Sequence, residues 1–438
     1  MDKQSAIALG VTAGLGVGYL LGKAQPSVPR VKTEQKPVKE LDEVERLIRP
    51  NILSLTPYRC ARDDYDEVLC YSDSYDHTLN NLSGRYSAGC QREQPGPPLQ
   101  GHGQLQAMEL ERYPCPYQPE LKKVITDFRN QNSSEKISQA NTFLGVGSDE
   151  AIDLIIRVAC TPRVDNIMIT PPTYGMYSVC ANIHDVGIVS VPLQVEAPAE
   201  NLKGLKPDLP LPAFHIDPQE ILNAADESTK VIFLCSPGNP TANVLRLEDV
   251  ETILNSKKYK GFVVVDEAYI DFADTPSLCT LVNKYRRLIV LQTLSKGFGL
   301  AGIRLGVAFG DPKLIQVLNN VKAPYNISKL TSDVARKAFS NLDELHKNVN
   351  RIKAEKYRVI KELQKLSFVR CIYASDSNFV LFEIPHALTV YRQMAGRGVV
   401  IRYRGNQHLL TDCLRATIGS REENDRMLEL LAEVSGEQ

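Results

Sequence analysis

Three stretches decide how this chain folds: VIFLCSPGNPT (231–241), GFVVVDEAY (261–269) and RLIVLQTLSKGFG (287–299). Each opens with a β-branched-rich apolar run and breaks sharply into polar residues and glycine. NIMIT (166–170) has the same apolar character. Runs that are apolar on both faces are what parallel strands require when helices cover both sides of a sheet. The intervening DEAIDLIIRVAC (149–160) carries apolar residues at helical spacing. This alternation predicts an α/β fold with a doubly wound, mostly parallel sheet. Ligands of such sheets bind outside the carboxyl ends of the strands. Asn239, Asp266 with Tyr269, and Ser295 with Lys296 therefore arrive at one edge.

An aspartate after a strand is usually a turn former or a helix cap, so none of these residues means much alone. Together they suit a pyridine-type cofactor. A lysine can hold an aldehyde, and an acid can keep a ring nitrogen protonated so that the ring withdraws electrons. An amide and a phenol can hold a ring hydroxyl.

Composition narrows the function classes. The 438 residues are 43% hydrophobic and 24% charged, and 51 Lys plus Arg against 52 Asp plus Glu leave a net charge of −1. That balance excludes a whole-protein basic footprint for nucleic acid or an anionic membrane. No C-x-x-C pair occurs among the ten cysteines and no H-E-x-x-H among the seven histidines. The expectation is a cytoplasmic enzyme with reduced cysteines and no metal site.

The ordered set SPGNPT, VVVDEAY, TLSKGFGLAGIRLG resembles the aminotransferases that use pyridoxal 5′-phosphate, of the aspartate-aminotransferase-like fold type I. Within them it resembles the histidinol-phosphate aminotransferases. LTPYRCARDD (55–64), ERYPCPYQ (111–118), LGVGSDEAID (144–153), PPTYGMYSVCAN (171–182), KAPYNIS (322–328) and CLRATIGSREEN (413–424) extend the match to the C-terminus. The resemblance implies exchange of an amino group between L-histidinol phosphate and 2-oxoglutarate, giving glutamate, within histidine biosynthesis. A related aromatic aminotransferase, an amino-acid-phosphate decarboxylase, or an impaired relic that only binds the cofactor are its alternatives.

By that resemblance Lys296 carries the cofactor aldehyde and acts as general base, Asp266 pairs with the ring nitrogen, Asn239 and Tyr269 contact the ring oxygen, and Tyr174 stacks on the ring. Gly147, Ser148, Asp149, Thr293, Ser295 and Arg304 would hold the cofactor phosphate. Tyr113 would reach that of a neighbouring subunit, which implies a homodimer. Arg415 would bind the substrate α-carboxylate, and Arg402 with Tyr58 the substrate phosphate, with Arg404 able to share that work. Cys115 stands where the family has an acidic residue. The spacing Gly297-x-Gly299-x-x-Gly302 fits a dinucleotide fingerprint by accident, since Lys322 occupies the place of its ribose-binding acid.

The expected domains are an extension and linker over 1–40, the start of a small domain over 41–108 with an irregular insert at 68–100, a large cofactor-binding domain over 109–325, and a C-terminal small domain over 326–438. Residues 5–22, SAIALGVTAGLGVGYLLG, are uncharged and near the length of a membrane span, but their Gly/Ala content makes insertion marginal. They leave membrane contact or organelle targeting open.

The insert at 68–100 is polar and unpatterned, whereas the family has an extended L-L-D-A-N-E-N segment there. Residues 86–97 read YSAGCQREQPGP. Their codons, shifted by one nucleotide, permit I-L-L-D-A-N-E-N-S-L-G-P at every position. The expectation is a retained intron beginning near Val68 and ending near Ser83–Gly84. Transcript reads that cross this region with nothing removed would refute it.

Overall fold

The predicted β-branched runs become the middle of a seven-stranded sheet. The computed structural model describes residues 41–55, 110, 112–131, 133–196 and 211–436. The 5–22 segment, Tyr58 and the 68–100 insert, with the reading-frame expectation attached to it, lie outside them.

The strands are β1 (Thr142–Val146), β2 (Asn166–Ile169), β3 (Gly187–Ser190), β4 (Gln194–Glu196), β5 (Ala213–His215), β6 (Thr229–Cys235), β7 (Phe262–Asp266), β8 (Leu288–Thr293), β9 (Leu305–Phe309), β10 (Cys371–Ile372), β11 (Phe379–Glu383), β12 (Arg402–Tyr403) and β13 (Cys413–Thr417). The large sheet has the order β1-β9-β8-β7-β6-β2-β3. Its neighbours pair in parallel except at β9, which runs against both β8 and β1.

Alternate residues of the central strands feed two separate cores. Ile232, Leu234, Val263, Val265, Leu288 and Val290 enter one, while Val231, Phe233, Phe262, Val264, Ile289 and Leu291 enter the other. All twelve are fully buried. Covering one such side chain on both faces is worth about 1.5–3 kcal/mol, which explains why the runs lack the polar alternation of a half-exposed strand. The helix Gly147–Ala159 follows β1 directly and packs its Ile152, Ile155 and Ile156 into the second core.

A smaller antiparallel sheet has the order β10-β11-β13-β12. One face carries Val380, Phe382, Leu414 and Ala416 into a core shared with Leu430 and Leu431 of the helix Arg421–Gly436. Its other face carries Phe379, which packs with Tyr269 and Phe272, and Leu381, which joins the first core of the large sheet. The small sheet thus lies against the edge where the parallel strands end.

Over 341–366 the residues Leu342, Leu345, Val349, Ile352, Tyr357, Ile360, Leu363 and Leu366 recur at helical spacing, which predicts a core-facing stripe. The segment forms the helix Leu342–Leu363, with Leu366 still packed on the same core from the turn beyond. One member of the expected apolar stripe is wrong. Tyr357 is 57% exposed, and Lys356 beside it is 2% exposed. The stripe runs 345, 349, 352, 356, 360, 363, so helical spacing places the lysine inward. Its ammonium donates to the carbonyls of Ser375 at 2.6 Å and Ser377 at 2.9 Å. Burial pushes that amine down to about 8. The loop it holds is latched to the segment after β6. Asp376 N–H donates to Ala242 O at 2.8 Å, Asp376 Oδ2 accepts from Val244 N–H at 2.9 Å, and Asn243 Nδ2 donates to Ala374 O at 2.8 Å. Among the described residues no helix is long and apolar enough to cross a membrane.

Candidate active site

Because β6, β7 and β8 run in parallel and in register, their carboxyl ends deliver side chains at one level. Asp266 ends β7 directly opposite Cys235 of β6 and Leu291 of β8. It is buried. Tyr177 O–H donates to its Oδ2 at 2.7 Å, and Ala268 N–H donates to Oδ1 at 3.1 Å. Burial pushes its carboxyl up to about 6, against the pull of these two donors and of Lys296. A buried carboxylate without a close cation is poised for one.

Lys296 follows β8 in the connection to β9. That connection closes on itself through Leu300 N–H to Leu294 O and Gly299 N–H to Lys296 O, both at 3.0 Å. The Lys296 ammonium stands 5.4 Å above the ring centroid of Tyr269. Burial holds the amine below its ordinary value, and the guanidinium charges of Arg415 and Arg304 add to the effect. Burial pushes the Tyr269 phenol up to about 12, with Arg415 opposing.

The amino end of the helix Gly147–Ala159 forms the opposite wall. First-turn N–H groups have no intrahelical acceptor, and with the helix dipole they favour an anion. Arg304, at φ +52°, places Nη2 3.5 Å from Asp149 Oδ2, and its carbonyl accepts from Gly147 N–H at 2.9 Å. No side chain fits at Gly147: its φ is +74°, and a Cβ would stand 2.6 Å from Arg304 Nη2. Gly306 is equally constrained, since a Cβ there would stand 2.1 Å from the Gly147 carbonyl carbon. The Thr293 and Ser295 hydroxyls lie 2.9 Å apart on the same side.

These groups surround one cavity of about 150 Å³, lined by Gly147, Ser148, Asp149, Tyr174, Cys235, Asn239, Asp266, Ala268, Tyr269, Thr293, Ser295, Lys296, Ala301 and Arg304. Every residue expected at the cofactor is among them except Tyr113. The Tyr113 ring instead stacks on Tyr325 with centroids 4.6 Å apart, and is 43% exposed. Tyr174 lines the cavity with its O–H donating to Asp149 Oδ1 at 2.9 Å.

From the small sheet Arg415 meets Asn239 of the cavity lining, its Nη1 donating to Asn239 Oδ1 at 2.5 Å. Its guanidinium lies 4.7 Å over the ring of Phe379, and the Phe379 ring meets Tyr269 edge-on at 5.2 Å. Arg402 stands directly opposite Arg415 across the β12–β13 pair.

Three contributors were not singled out in the sequence. They are Tyr177, which supplies the donor to Asp266, Cys235, which lines the cavity, and Phe379, the platform under Arg415. Tyr177 was within reach, three residues beyond Tyr174 in PPTYGMYSVCAN. Phe379 carried no local signal.

The family described as Aminotransferase class I and II matches residues 93–431. The chain belongs to the class I and II aminotransferases. Within that family it is 42% identical over 408 residues to the histidinol-phosphate aminotransferase of Candida maltosa, covering 88% of this chain and 97% of that protein. It is 40% identical over 410 residues to the enzyme of the same name from Saccharomyces cerevisiae, covering 89% and 97%. Among solved structures, the histidinol-phosphate aminotransferase of Sinorhizobium meliloti in complex with pyridoxal-5′-phosphate superposes with a TM-score of 0.64 at 21% identity, covering 76% of this chain and 85% of that one. That likeness shows a shared fold, the α/β type I fold of this aminotransferase family.

Proposed function

We propose that this aminotransferase moves an amino group between L-histidinol phosphate and 2-oxoglutarate, forming imidazole acetol phosphate and glutamate in histidine biosynthesis, with pyridoxal 5′-phosphate held at Lys296. The observation that carries the reading is one cavity shared by Asp266, Lys296 and Arg304, in a chain related along nearly its whole length to histidinol-phosphate aminotransferases.

The residues present fit the cofactor. Asp266 is a buried carboxylate that no cation among the described residues pairs with, and a protonated ring nitrogen supplies that partner. The helix amino end with Gly147, Ser148, Thr293, Ser295 and Arg304 is a cradle for its phosphate. When bound, pyridoxal 5′-phosphate contributes an electron-withdrawing ring and an aldehyde.

The chain does the rest. Tyr177 and the Ala268 N–H fix the Asp266 carboxylate. Burial and two guanidinium charges raise the neutral fraction of the Lys296 amine, so it can take a proton from the substrate carbon bearing nitrogen and return it elsewhere. Asn239 and Tyr269 bound the ring-oxygen side. Arg415 pairs with a substrate carboxylate, and Arg402 with the phosphate. Tyr113, half-exposed beside Tyr325, is assigned to the cofactor phosphate of a second copy, which makes a homodimer the working unit.

Loaded protein should show a visible absorbance band that borohydride fixes covalently on Lys296, and should form glutamate in step with loss of histidinol phosphate. Trapping on another lysine overturns the site. Consumption of the phosphorylated substrate without glutamate overturns the reaction.

A further inference from the structure

The turn that carries Lys296 leans on a carboxylate outside the cavity. A Cβ added at Gly297 would stand 2.5 Å from Asp271 Oδ2, 2.6 Å from its Cβ and 2.9 Å from its Cγ. The backbone next to Lys296 therefore lies flat against that side chain. Arg129 Nη2 pairs with Asp271 Oδ1 at 2.8 Å, and the two side chains are 13% and 6% exposed. Arg129 closes the helix Pro119–Arg129. Phe128, the residue before it, lies 4.6 Å under the guanidinium and meets Phe298 edge-on at 5.9 Å. One helix end thus holds both residues that follow Lys296, Gly297 through Asp271 and Phe298 through Phe128.

Stability alone does not call for this pair. Taking two charges out of water can cost as much as their attraction returns, and apolar residues of like volume often serve as well. Nor is Arg129 needed by Glu267, the other carboxylate whose charge bears on it. Glu267 already accepts from Ser277 O–H at 2.5 Å, Leu278 N–H at 2.7 Å and Gln292 Nε2 at 2.8 Å. What the pair supplies is a fixed surface, because a guanidinium gives a carboxylate its direction. Asp271 also stands two residues beyond Tyr269, whose ring centroid lies 5.4 Å from the Lys296 ammonium. The same side chain is thus tied by sequence to one cavity residue and by packing to the other.

We infer that Asp271, held by Arg129, is a positioning residue that sets where the Lys296 amine stands against Tyr269. The inference rests on the proposed function, which gives that amine the aldehyde and the proton. The charges that bear most on the amine are those of Arg415, Arg304, Asp149 and Asp266. Asp271 acts on it through the backbone of the turn.

The test uses the cofactor-loaded enzyme and reads kcat and KM for histidinol phosphate, the pH midpoint of the visible absorbance band, and denaturant unfolding. Asp271→Asn keeps the shape and removes the charge that orients it. Gly297→Ala keeps every charge and pushes the turn off its support. Both should lower kcat roughly ten- to hundredfold with KM within about threefold, and both should move the midpoint by about half a unit or more. Lower stability with kcat and midpoint in place is the mark of a merely structural pair and overturns the inference. A change confined to KM overturns it too. So does a midpoint shift in Asp271→Asn alone, since freeing the Arg129 charge would produce that without any movement of the turn. If Asp271→Asn does not accumulate, Gly297→Ala decides on the same readouts. A wild-type band that borohydride fixes on a lysine other than Lys296 sinks the parent reading instead, a separate outcome.

Discussion

The large-sheet and small-sheet sides of the site are built on opposite plans. On the parallel-sheet side the chain supplies its own partners: Asp266 receives Tyr177 and a backbone N–H, and Thr293 lies against Ser295. On the small-sheet side Arg402, Arg404 and Arg415 share a face, and no carboxylate among the described residues pairs with any of them. A side that must hold one resident group through every turnover is best fixed in advance, because preorganised dipoles cost nothing to reorient when charge develops. A side that admits and releases anionic substrates must keep charge uncompensated. On the proposed function the difference separates what stays from what passes through.

That contrast can be broken most severely at Lys296. On the proposed function Lys296 holds the aldehyde and serves as the base, so Lys296→Ala should lower turnover roughly 10⁴-fold or more while the chain still folds, measured by single-turnover absorbance and thermal unfolding. Retained turnover would mean that the chemistry lies elsewhere.

Asp266→Asn comes next, with a loss of roughly 10²- to 10⁴-fold in kcat. It also carries a pH signature. The folded-state carboxyl sits at about 6, above its unfolded value, so ionisation in the fold is penalised. In cofactor-free protein that penalty is absent at low pH, grows as pH rises from about 4 through 6, and is complete above. Asp266→Asn should therefore gain stability relative to wild type between pH 4 and 8, by about 2–3 kcal/mol. A flat difference across that range, read by denaturant unfolding, would show that the carboxyl is not under strain.

On the substrate side the effects should be smaller and selective. Arg402→Ala should cost histidinol phosphate about 1.5–3 kcal/mol more than histidinol, and Arg415→Ala should injure 2-oxoglutarate most. Unselective losses at both positions would erase the distinction between the two sides.

The smallest effect is expected where the two sides are joined. Lys356→Met leaves the Ser375 and Ser377 carbonyls without their donor and should lower stability by about 1–3 kcal/mol. It should also raise KM with little change in kcat, since the loop it holds leads directly into Phe379 under Arg415.

How much of this could be read from the chain alone follows from the range of the forces. The ends of β6, β7 and β8 were legible because burial on both faces writes itself into consecutive residues, and Asn239, Asp266 and Lys296 stand immediately after those runs. The reversal of β9 was not, since strand direction depends on the path of the connection rather than on apolar content. Tyr177 acts across 89 positions of sequence, and nothing near Asp266 announces it. Lys356 misled the reading for a plainer reason. A hydrophobic stripe search passes over lysine, yet two buried carbonyls facing a helix require a donor.

The reversed strand has a last consequence. Elsewhere in the large sheet the parallel neighbours are joined by crossovers, so changes in a crossover are absorbed far from the cavity. Between β8 and β9 there is no crossover, and residues 294–304 carry both Lys296 and Arg304 on a single self-closed turn. On the proposed function that turn is a ruler between the Lys296 amine and the phosphate cradle. Inserting one residue there would shift the two ends against each other by up to ~3.5 Å, more than a hydrogen bond tolerates. Length variation should therefore be nearly forbidden in this turn while remaining open on the small sheet, so substrate preference can drift while the chemistry stays in place.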